Sequence, residues 1–575
     1  MKISKLYILS IVFLLAQCAK QTQPTGGAKD DTPPKLIRSN PADRQTNFKQ
    51  NEIELYFDEM IQVNGAREQL IITPAVGKKF EAEARKNKVT LKLNADLKEN
   101  TTYTISFRDA IQDVTERNSV VNLKLAFSTG DHIDSLSISG MVYNPLEDKA
   151  LKNYTVAAVL HHDTINIFKH EAQWITFTNE KGEYILDNLK AGTYTLYTFE
   201  DKNKNLIVDS KTESYGFIGE TLSITEGNIK KNIPVVRLDS RDLKLISSRP
   251  IATYFNIRVT KGIKEYTLLN TTNDSTLYHT LEDASTIKVF NTIHNLDSIG
   301  VKLSVKDSIG NQLDTLLNIK FDTRSTSREK FTAKVEYLDF LKNKSLLKGE
   351  INFSKPVGYV LIDSFFIKLD SANFLRFSKA DYTFDEHKTQ LTFEKKLTKE
   401  IDFTTQRTPQ SRGTRERSVS KEEPKSQVKE IPLNNLIVPK GSIISIEYDT
   451  ASTIQSPIRV ITPENSGTII LETDSKDEEQ VIIQIVDKSF KVVQSSISKK
   501  ARFENLPPAD YMIRVIVDTN ANQSWDAGNY FKRIEPERII YYKNEKGNPS
   551  VNLKANWEVG PLLISTQQTV ENPKN

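Results

Sequence analysis

Ile53-Glu54-Leu55-Tyr56-Phe57 alternates apolar and polar side chains, so one face of an extended segment is apolar and the other is not. Val89-Thr90-Leu91-Lys92-Leu93 and Tyr103-Thr104-Ile105-Ser106-Phe107 repeat the alternation. Thr193-Tyr194-Thr195-Leu196-Tyr197 and Tyr511-Met512-Ile513-Arg514-Val515 are rich in the aromatic and β-branched residues that suit a pleated sheet. Gly, Pro, Asn and Asp clusters punctuate such runs roughly every 8–12 residues, and sustained helical periodicity is rare. The pattern predicts an all-β chain of tandem β-sandwiches, set out as beads on a string. The 575 residues exceed what one core can organise. They suggest roughly four or five units of ~100 residues.

The amino terminus reads differently. Lys2 and Lys5 precede a mostly apolar run over residues 6–16, followed by Leu15-Ala16-Gln17-Cys18. A charged start, a short apolar stretch and small residues before a cut are the layout of a secretory signal. The run is too short to cross a bilayer, which needs about 20 apolar residues. Ending at Cys18, the only cysteine of the chain, it resembles the lipobox of bacterial lipoproteins. That resemblance implies a signal peptide over 1–17, a diacylglyceryl thioether on Cys18 and an acylated (palmitate-type) new amino terminus. At about 0.8 kcal/mol per buried methylene, two or more chains anchor permanently. A plain signal peptide or an uncleaved anchor with an incidental thiol are the alternatives. Residues 18–32 are polar, with Gly26-Gly27 and Asp30-Asp31, and read as a tether. Related surface-exposed lipoproteins carry acidic residues directly after the cysteine. Here Ala19-Lys20-Gln21-Thr22-Gln23 is neutral to basic, which favours the periplasmic face of the outer membrane over the cell surface.

The formal net charge is +4, lowered further when Lys2 and Lys5 leave with the signal. With no arginine stripe or basic helix, this speaks against nucleic acid as a partner. One cysteine precludes a disulfide within the chain, so packing, sheet pairing or bound ions must hold the units together.

Pro33-Pro34-Lys35-Leu36, Ser39-Asn40-Pro41-Ala42-Asp43, Ile53-Glu54-Leu55-Tyr56-Phe57-Asp58-Glu59, Leu70-Ile71-Ile72-Thr73-Pro74, Ile111-Gln112-Asp113 and Ala126-Phe127-Ser128-Thr129 follow in order. On these residues 33–130 resemble a bacterial Ig-like domain of the surface-layer type, which implies a spacer or docking module. Residues 136–238 open with Gly140-Met141-Val142-Tyr143 and continue through Gly182-Glu183-Tyr184-Ile185-Leu186. They resemble the prealbumin-like or carboxypeptidase-regulatory sandwich. Residues 239–330 form a β-domain of unknown type. Residues 331–460 read as another Ig-like sandwich, with Glu350-Ile351-Asn352-Phe353-Ser354-Lys355-Pro356-Val357 echoing the strand at Phe57. Its insertion over 402–432 is rich in Ser, Thr, Pro and charge and poor in large apolar residues, so disorder is expected. Residues 412–417 within it are a solvated basic loop or a lipid or partner contact. Residues 466–566 form a C-terminal sandwich with Asn505-Leu506-Pro507-Pro508-Ala509-Asp510-Tyr511, Trp525-Asp526-Ala527-Gly528-Asn529-Tyr530 and Ala555-Asn556-Trp557-Glu558. With the lipobox and the opening domain, these resemble the Ig-like-domain lipoproteins of Bacteroidota-type bacteria. The resemblance implies an envelope lipoprotein and no reaction.

Two distant stretches share one pattern. Asn188-Leu189, Tyr194, Asp201, Asn203, Asn205 and Asp209 recur 317 positions on as Asn505-Leu506, Tyr511, Asp518, Asn520, Asn522 and Asp526. A fixed offset marks one duplicated β-unit. Each Asp-x-Asn-x-Asn-x-x-x-Asp loop offers hard oxygen donors, with the carbonyls of Ile207 and Ser524 at the seventh position. Calcium takes six to eight such oxygens. The bidentate Glu of an EF-hand at position 12 is replaced by Thr212 and Asn529, and Glu213 stands one residue late. Calcium at Asp201, Asn203, Asn205, Ile207, Asp209 and at Asp518, Asn520, Asn522, Ser524, Asp526 is one reading. A metal-free turn held by local side-chain bonds is the other.

Catalytic signatures are absent from the sequence: no Gly-x-Ser-x-Gly elbow, His-Glu-x-x-His pair or phosphate-cradling loop occurs. His161-His162-Asp163 is the one His cluster, and adjacent strand residues face opposite ways. Trp174, Trp525 and Trp557 are sugar platforms or packing. The chain is thus expected to be non-catalytic, a scaffold or docking module for an envelope protein or glycan. The rivals are a glycoside hydrolase whose site lies hidden in 239–460 and an accessory factor in outer-membrane assembly.

Overall fold

The computed structural model describes residues 30–567 except 77–79, 162–165, 295, 323, 325–326, 371–372, 399–402, 404–432 and 477–478. Cys18, the signal peptide expected over 1–17 and residues 404–432 lie outside the described residues. Strands make up 50% of the described residues and helix 3%; the protein is an all-β series of sandwiches. No helix among the described residues is long and apolar enough to cross a membrane.

The alternation at Ile53 produces what it encodes. In the strand Glu52–Phe57 the side chains of Ile53, Leu55 and Phe57 are fully buried. Its sheet runs Leu36–Asn40, Glu52–Phe57, Lys88–Leu93, Phe80–Arg85, antiparallel throughout. A second sheet of Ile71–Thr73, Thr102–Ser106 and Lys124–Ser128 covers it. Phe48, Leu91, Tyr103, Ile105 and Phe127 fill the space between. Burial of such side chains, about 1.5–3 kcal/mol each, holds the sandwich closed.

In the second unit the strand Leu136–Asn144 is shared. It pairs antiparallel with Glu183–Leu189 and parallel with Asn228–Lys230 and Ile233–Val236. Through Ile233–Val236 it joins a sheet containing Tyr215–Phe217, Gly192–Phe199, Thr155–Leu160 and Trp174–Phe177. The fifth unit repeats the plan. Gly467–Thr473 pairs antiparallel with Lys500–Leu506 and parallel with Glu558–Ile564. Ala509–Asp518 lies between Gln480–Val486 and Ile539–Tyr541. Glu183–Leu189 and Lys500–Leu506 begin and end at the same 317-residue offset, as do the starts of Gly192–Phe199 and Ala509–Asp518.

Between them, residues 239–330 form a sandwich of Leu245–Ile251, Tyr254–Val259, Thr286–Phe290 and His279–Asp283 against Glu265–Asn270, Ile299–Lys306 and Gln312–Ile319. The fourth unit packs a sheet centred on Leu346–Phe353 against one centred on Phe366–Lys368 and Asn435–Val438. Phe403 corrects one expectation. It belongs to the stretch expected to be disordered, yet it is 3% exposed and stands edge-on to Phe340 at 4.7 Å. The ring is apolar and packs on Phe340, which places Phe403 itself in the core.

The string of beads is also corrected. The fifth unit folds back onto the second: Leu146 O accepts the Tyr541 hydroxyl at 2.5 Å and Arg514 Nη1 at 3.3 Å, and Lys543 pairs with Asp148 at 2.7 Å. The first and second units are joined by Asn188 Nδ2 donating to Thr104 Oγ1 at 2.8 Å and Thr73 Oγ1 donating to Ile175 O at 3.0 Å.

Candidate functional site: the repeated loops and the joint they build

Both Asp/Asn loops leave the end of the long central strand of their unit. In the first, Asp201 accepts the Asn205 N–H on one carboxylate oxygen at 3.0 Å and the Leu206 N–H on the other at 3.1 Å. Asn203 Oδ1 accepts the Asn205 N–H and Asn205 Oδ1 the Ile207 N–H, at 3.0 and 2.8 Å. In the second, Asp518 accepts the Asn522 N–H at 3.2 Å and the Gln523 N–H at 2.8 Å. Asn520 Oδ1 accepts the Asn522 N–H and Asn522 Oδ1 the Ser524 N–H, at 3.1 and 2.8 Å. The backbone follows suit: Lys204 and Leu206 have φ of 57° and 60°, and Ala521 and Gln523 have 57° and 65°. These side-chain-to-backbone bonds offset the cost of left-handed backbone at non-glycine residues.

A buried glutamate closes each loop, and only one was visible in the sequence. Glu213 accepts the Lys202 N–H at 3.0 Å and the Asp209 N–H at 2.9 Å. Glu537 accepts the Thr519 N–H at 2.7 Å and the Asp526 N–H at 3.0 Å, the same two loop positions. Glu213 follows its aspartate by 4 residues and Glu537 by 11. The intervening hairpin of the second repeat hid the equivalence. Burial raises the Glu213 carboxyl above the ordinary glutamate value, whereas the Thr212 hydroxyl holds Asp209 below the ordinary aspartate value.

A calcium ion would need six to eight oxygens gathered at each loop. Among the described residues no group of three or more His, Cys, Asp or Glu is placed to hold a metal. In the second loop Asn520 and Asn522 turn their amide nitrogens toward Asp526 Oδ2, at 2.6 and 2.7 Å, and the Lys264 ammonium stands 3.3 Å from Asp526 Oδ1. In the first, Asp209 accepts the Thr212 hydroxyl at 2.7 Å and the Lys211 N–H at 3.0 Å. As they stand, the first loop is a corner satisfied by its own donors, and the second adds the Lys264 ammonium of the third unit.

The extra hairpin of the second loop makes a joint. Tyr530 packs edge-on against Phe168 and Phe217 of the second unit, ring centres 5.3 Å away in both cases. Asn529 Nδ2 donates to Ile309 O of the third unit at 2.6 Å. Gly219 approaches so closely that a Cβ would lie 2.4 Å from Arg533 O, and its N–H donates to Glu535 at 2.8 Å. One hairpin thus joins three units.

Of the other candidates, His162 and Asp163 lie outside the described residues. Trp174 packs on Tyr194 at 6.3 Å, and Trp525 Nε1 donates to Glu537 O at 3.0 Å. Trp557 is half-exposed, with the Lys554 ammonium 4.8 Å from its ring centre. An open cleft of about 930 Å³ separates the first and second units, lined by Thr73, Thr104, Arg108, Phe177, Tyr184 and Asp187.

Residues 30–129 match the profile of the bacterial Ig-like domain. No curated protein matches the chain. Among solved structures it is similar to the Bacillus anthracis TIE protein, at 10% identity over 94% of this chain and 76% of that one, with a TM-score of 0.12. It is similar to the surface layer protein SbsC, domains 1–6, at 9% identity over 85% and 66%, with a TM-score of 0.13. It is also similar to BcpA, the major pilin subunit of Bacillus cereus, at 10% identity over 75% and 99%, with a TM-score of 0.13. At such scores these likenesses carry no argument about function. The Ig-like assignment of the opening unit rests on the family profile and its own sheets.

Proposed function

We propose that this chain is a non-catalytic envelope lipoprotein of the Bacteroidota Ig-like-domain type, anchored through Cys18 to the periplasmic face of the outer membrane. It acts as a scaffold that docks another envelope protein or a glycan. The observation that carries the reading is the hairpin joint. Tyr530, Asn529 and Gly219 tie the second, third and fifth units together, which suits a frame that presents surfaces at set positions. The cleft between the first and second units is the docking place we assign. Its lining mixes polar and apolar side chains, with the Arg108 guanidinium 4.6 Å from the Phe177 ring centre, and it combines hydrogen-bonding groups with an aromatic wall.

For Asp201, Asn203, Asn205, Ile207, Asp209 and for Asp518, Asn520, Asn522, Ser524, Asp526 two readings stand within this proposal: a metal-free turn held by its own side-chain bonds, or calcium as a stiffening ligand. Binding would require the amides of Asn520 and Asn522 to turn their oxygens inward.

Palmitate labelling of cells tests the anchor: label on the native chain and none on Cys18→Ser is expected. Crosslinking in intact cells followed by mass spectrometry tests docking. A reproducible protein or glycan partner lost in Phe177→Ala is expected, and recovery of none overturns the docking reading. Hydrolysis of a polysaccharide panel, abolished by one carboxylate substitution within 239–460, would replace the scaffold by an enzyme.

A further inference from the structure

The fourth unit buries a lysine between two carboxyl groups. Lys355 follows the strand Leu346–Phe353, and its side chain is 0% exposed. Its Nζ lies 2.6 Å from Glu447 Oε2 and 2.5 Å from Asp449 Oδ2. The turn after Ile443–Ser445 brings both carboxyls to one side: Ser445 Oγ accepts the N–H of Glu447 and of Asp449, at 3.1 and 3.2 Å. Tyr448 between them is 87% exposed with φ of 66°, a conformation bulky side chains rarely adopt. The third unit adds Tyr254, whose hydroxyl donates to Glu447 Oε2 at 3.3 Å, and Arg328, which donates to Glu447 O at 3.3 Å.

We propose that Lys355 and Asp449 form an intramolecular amide bond, with Glu447 carrying the proton. Three observations point to this rather than to a plain ion pair. Nucleophile and acceptor are held in contact by backbone geometry, which supplies the high effective concentration such a condensation needs. A second carboxylate, Glu447, touches the same nitrogen and is fixed by Tyr254 and Arg328, so it serves as base and then as acid. Asp449 is the less buried of the two carboxyls, 32% exposed against 3%, so water has a way out on the acceptor's side. Burial works against the Lys355 charge, but Asp449 and Glu447 hold it above its ordinary value. Deprotonation therefore falls to a base in contact, which Glu447 is.

In the reaction Glu447 takes one proton from the ammonium, and Nζ attacks Cγ of Asp449. The Nζ–Cγ bond forms, one Cγ–O bond breaks, and that oxygen leaves as water with two of the three ammonium protons. One proton stays on the amide nitrogen, Glu447 ends as it began, and no oxidant or reductant is involved. Lys261 supplies the contrast. It is 2.5 Å from Asp307, both 2% exposed, but Asp307 is occupied by the N–H groups of Ile309 and Asn311, and the other group Lys261 bonds is a carbonyl, that of Asp239. That pair stays ionic. The amide would clamp the two sides of residues 404–432 covalently in a chain whose one cysteine leaves no disulfide to do so.

Intact-mass measurement of the full-length protein, with peptide mapping, tests this. The native chain is expected to be lighter by one water, with the peptides carrying Lys355 and Asp449 joined. Lys355→Arg, Asp449→Ala and Glu447→Gln should each restore the full mass. A protease site placed within 404–432 should, once cut, leave fragments that run together on a denaturing gel. A native chain of full mass with separate peptides overturns the proposal. A link mapped to Glu447 overturns the assignment of the acceptor, and linkage persisting in Glu447→Gln overturns its role.

Discussion

Acid should loosen the junction between the third and fourth units, and His279 sets the size of the effect. His279 lies on the strand His279–Asp283, its Nδ1 3.0 Å from the Tyr266 hydroxyl on the facing sheet. The His387 ring, from the turn before Gln390–Lys396 of the next unit, stands 5.1 Å from His279 and stacks on Tyr266 at 5.5 Å. Burial first, and the neighbouring His387 second, depress His279 from 6.5 to about 4. Burial, with Glu386 adding to it, keeps the Tyr266 hydroxyl well above its ordinary range, hence neutral. Lys388 sits over Tyr278 at 5.6 Å and adds positive charge nearby. A histidine whose folded value is depressed adds stability that is present above the unfolded value of 6.5 and lost as pH falls toward 4. Between pH 7 and pH 5 the loss is about 2 kcal/mol, because the unfolded chain takes up the proton that the folded chain refuses. Denaturant unfolding of the full chain at both pH values, compared with His279→Phe, measures it. The variant keeps an aromatic ring against Tyr266 and should lose about 2 kcal/mol less than the native chain over that interval. Parallel losses in the two proteins would refute the reasoning.

The remaining predictions concern the joint and the loops. Tyr530→Ala removes the ring between Phe168 and Phe217. At about 2–4 kcal/mol for a partly buried aromatic, it should speed hydrogen exchange in Tyr215–Phe217; unchanged exchange there would mean that the joint adds nothing. Glu537→Ala leaves the N–H groups of Thr519 and Asp526 without their acceptor, costing about 0.5–1.5 kcal/mol for each bond lost. Its melting temperature should fall, and equal melting of variant and native chain would contradict the closing role. If calcium binds the loops, a hundredfold excess over Kd adds about 2.7 kcal/mol. Chelator should then lower the melting temperature, and Asp209→Ala with Asp526→Ala should abolish the response; a native curve indifferent to millimolar calcium leaves the loops metal-free.

What the sequence by itself determined is local or periodic. Alternation around Ile53, Val89 and Tyr103 gave strands with those side chains inward, because a pleated backbone sends successive residues to opposite faces. The 317-residue repeat carried through to equal strand limits and to matching positive φ at Lys204 and Ala521, because Asx side chains bond backbone only a few residues away. Tertiary structure alone decided the rest. In Gly192–Phe199 Tyr194 and Leu196 face the core of their own sandwich, while Tyr197 and Phe199 face a cluster completed by Trp525 and Tyr530. Nothing within the strand shows that its second face is covered from more than 300 residues away. Glu537 could not be matched to Glu213, since a hairpin lengthens one loop and only the fold brings the two carboxylates to the same amides. Lys355, Glu447 and Asp449 look like ordinary surface charges in the sequence. Their convergence depends on two segments separated by 94 residues, and contacts that far apart follow from which faces the sheets leave open, not from the residues flanking each charge.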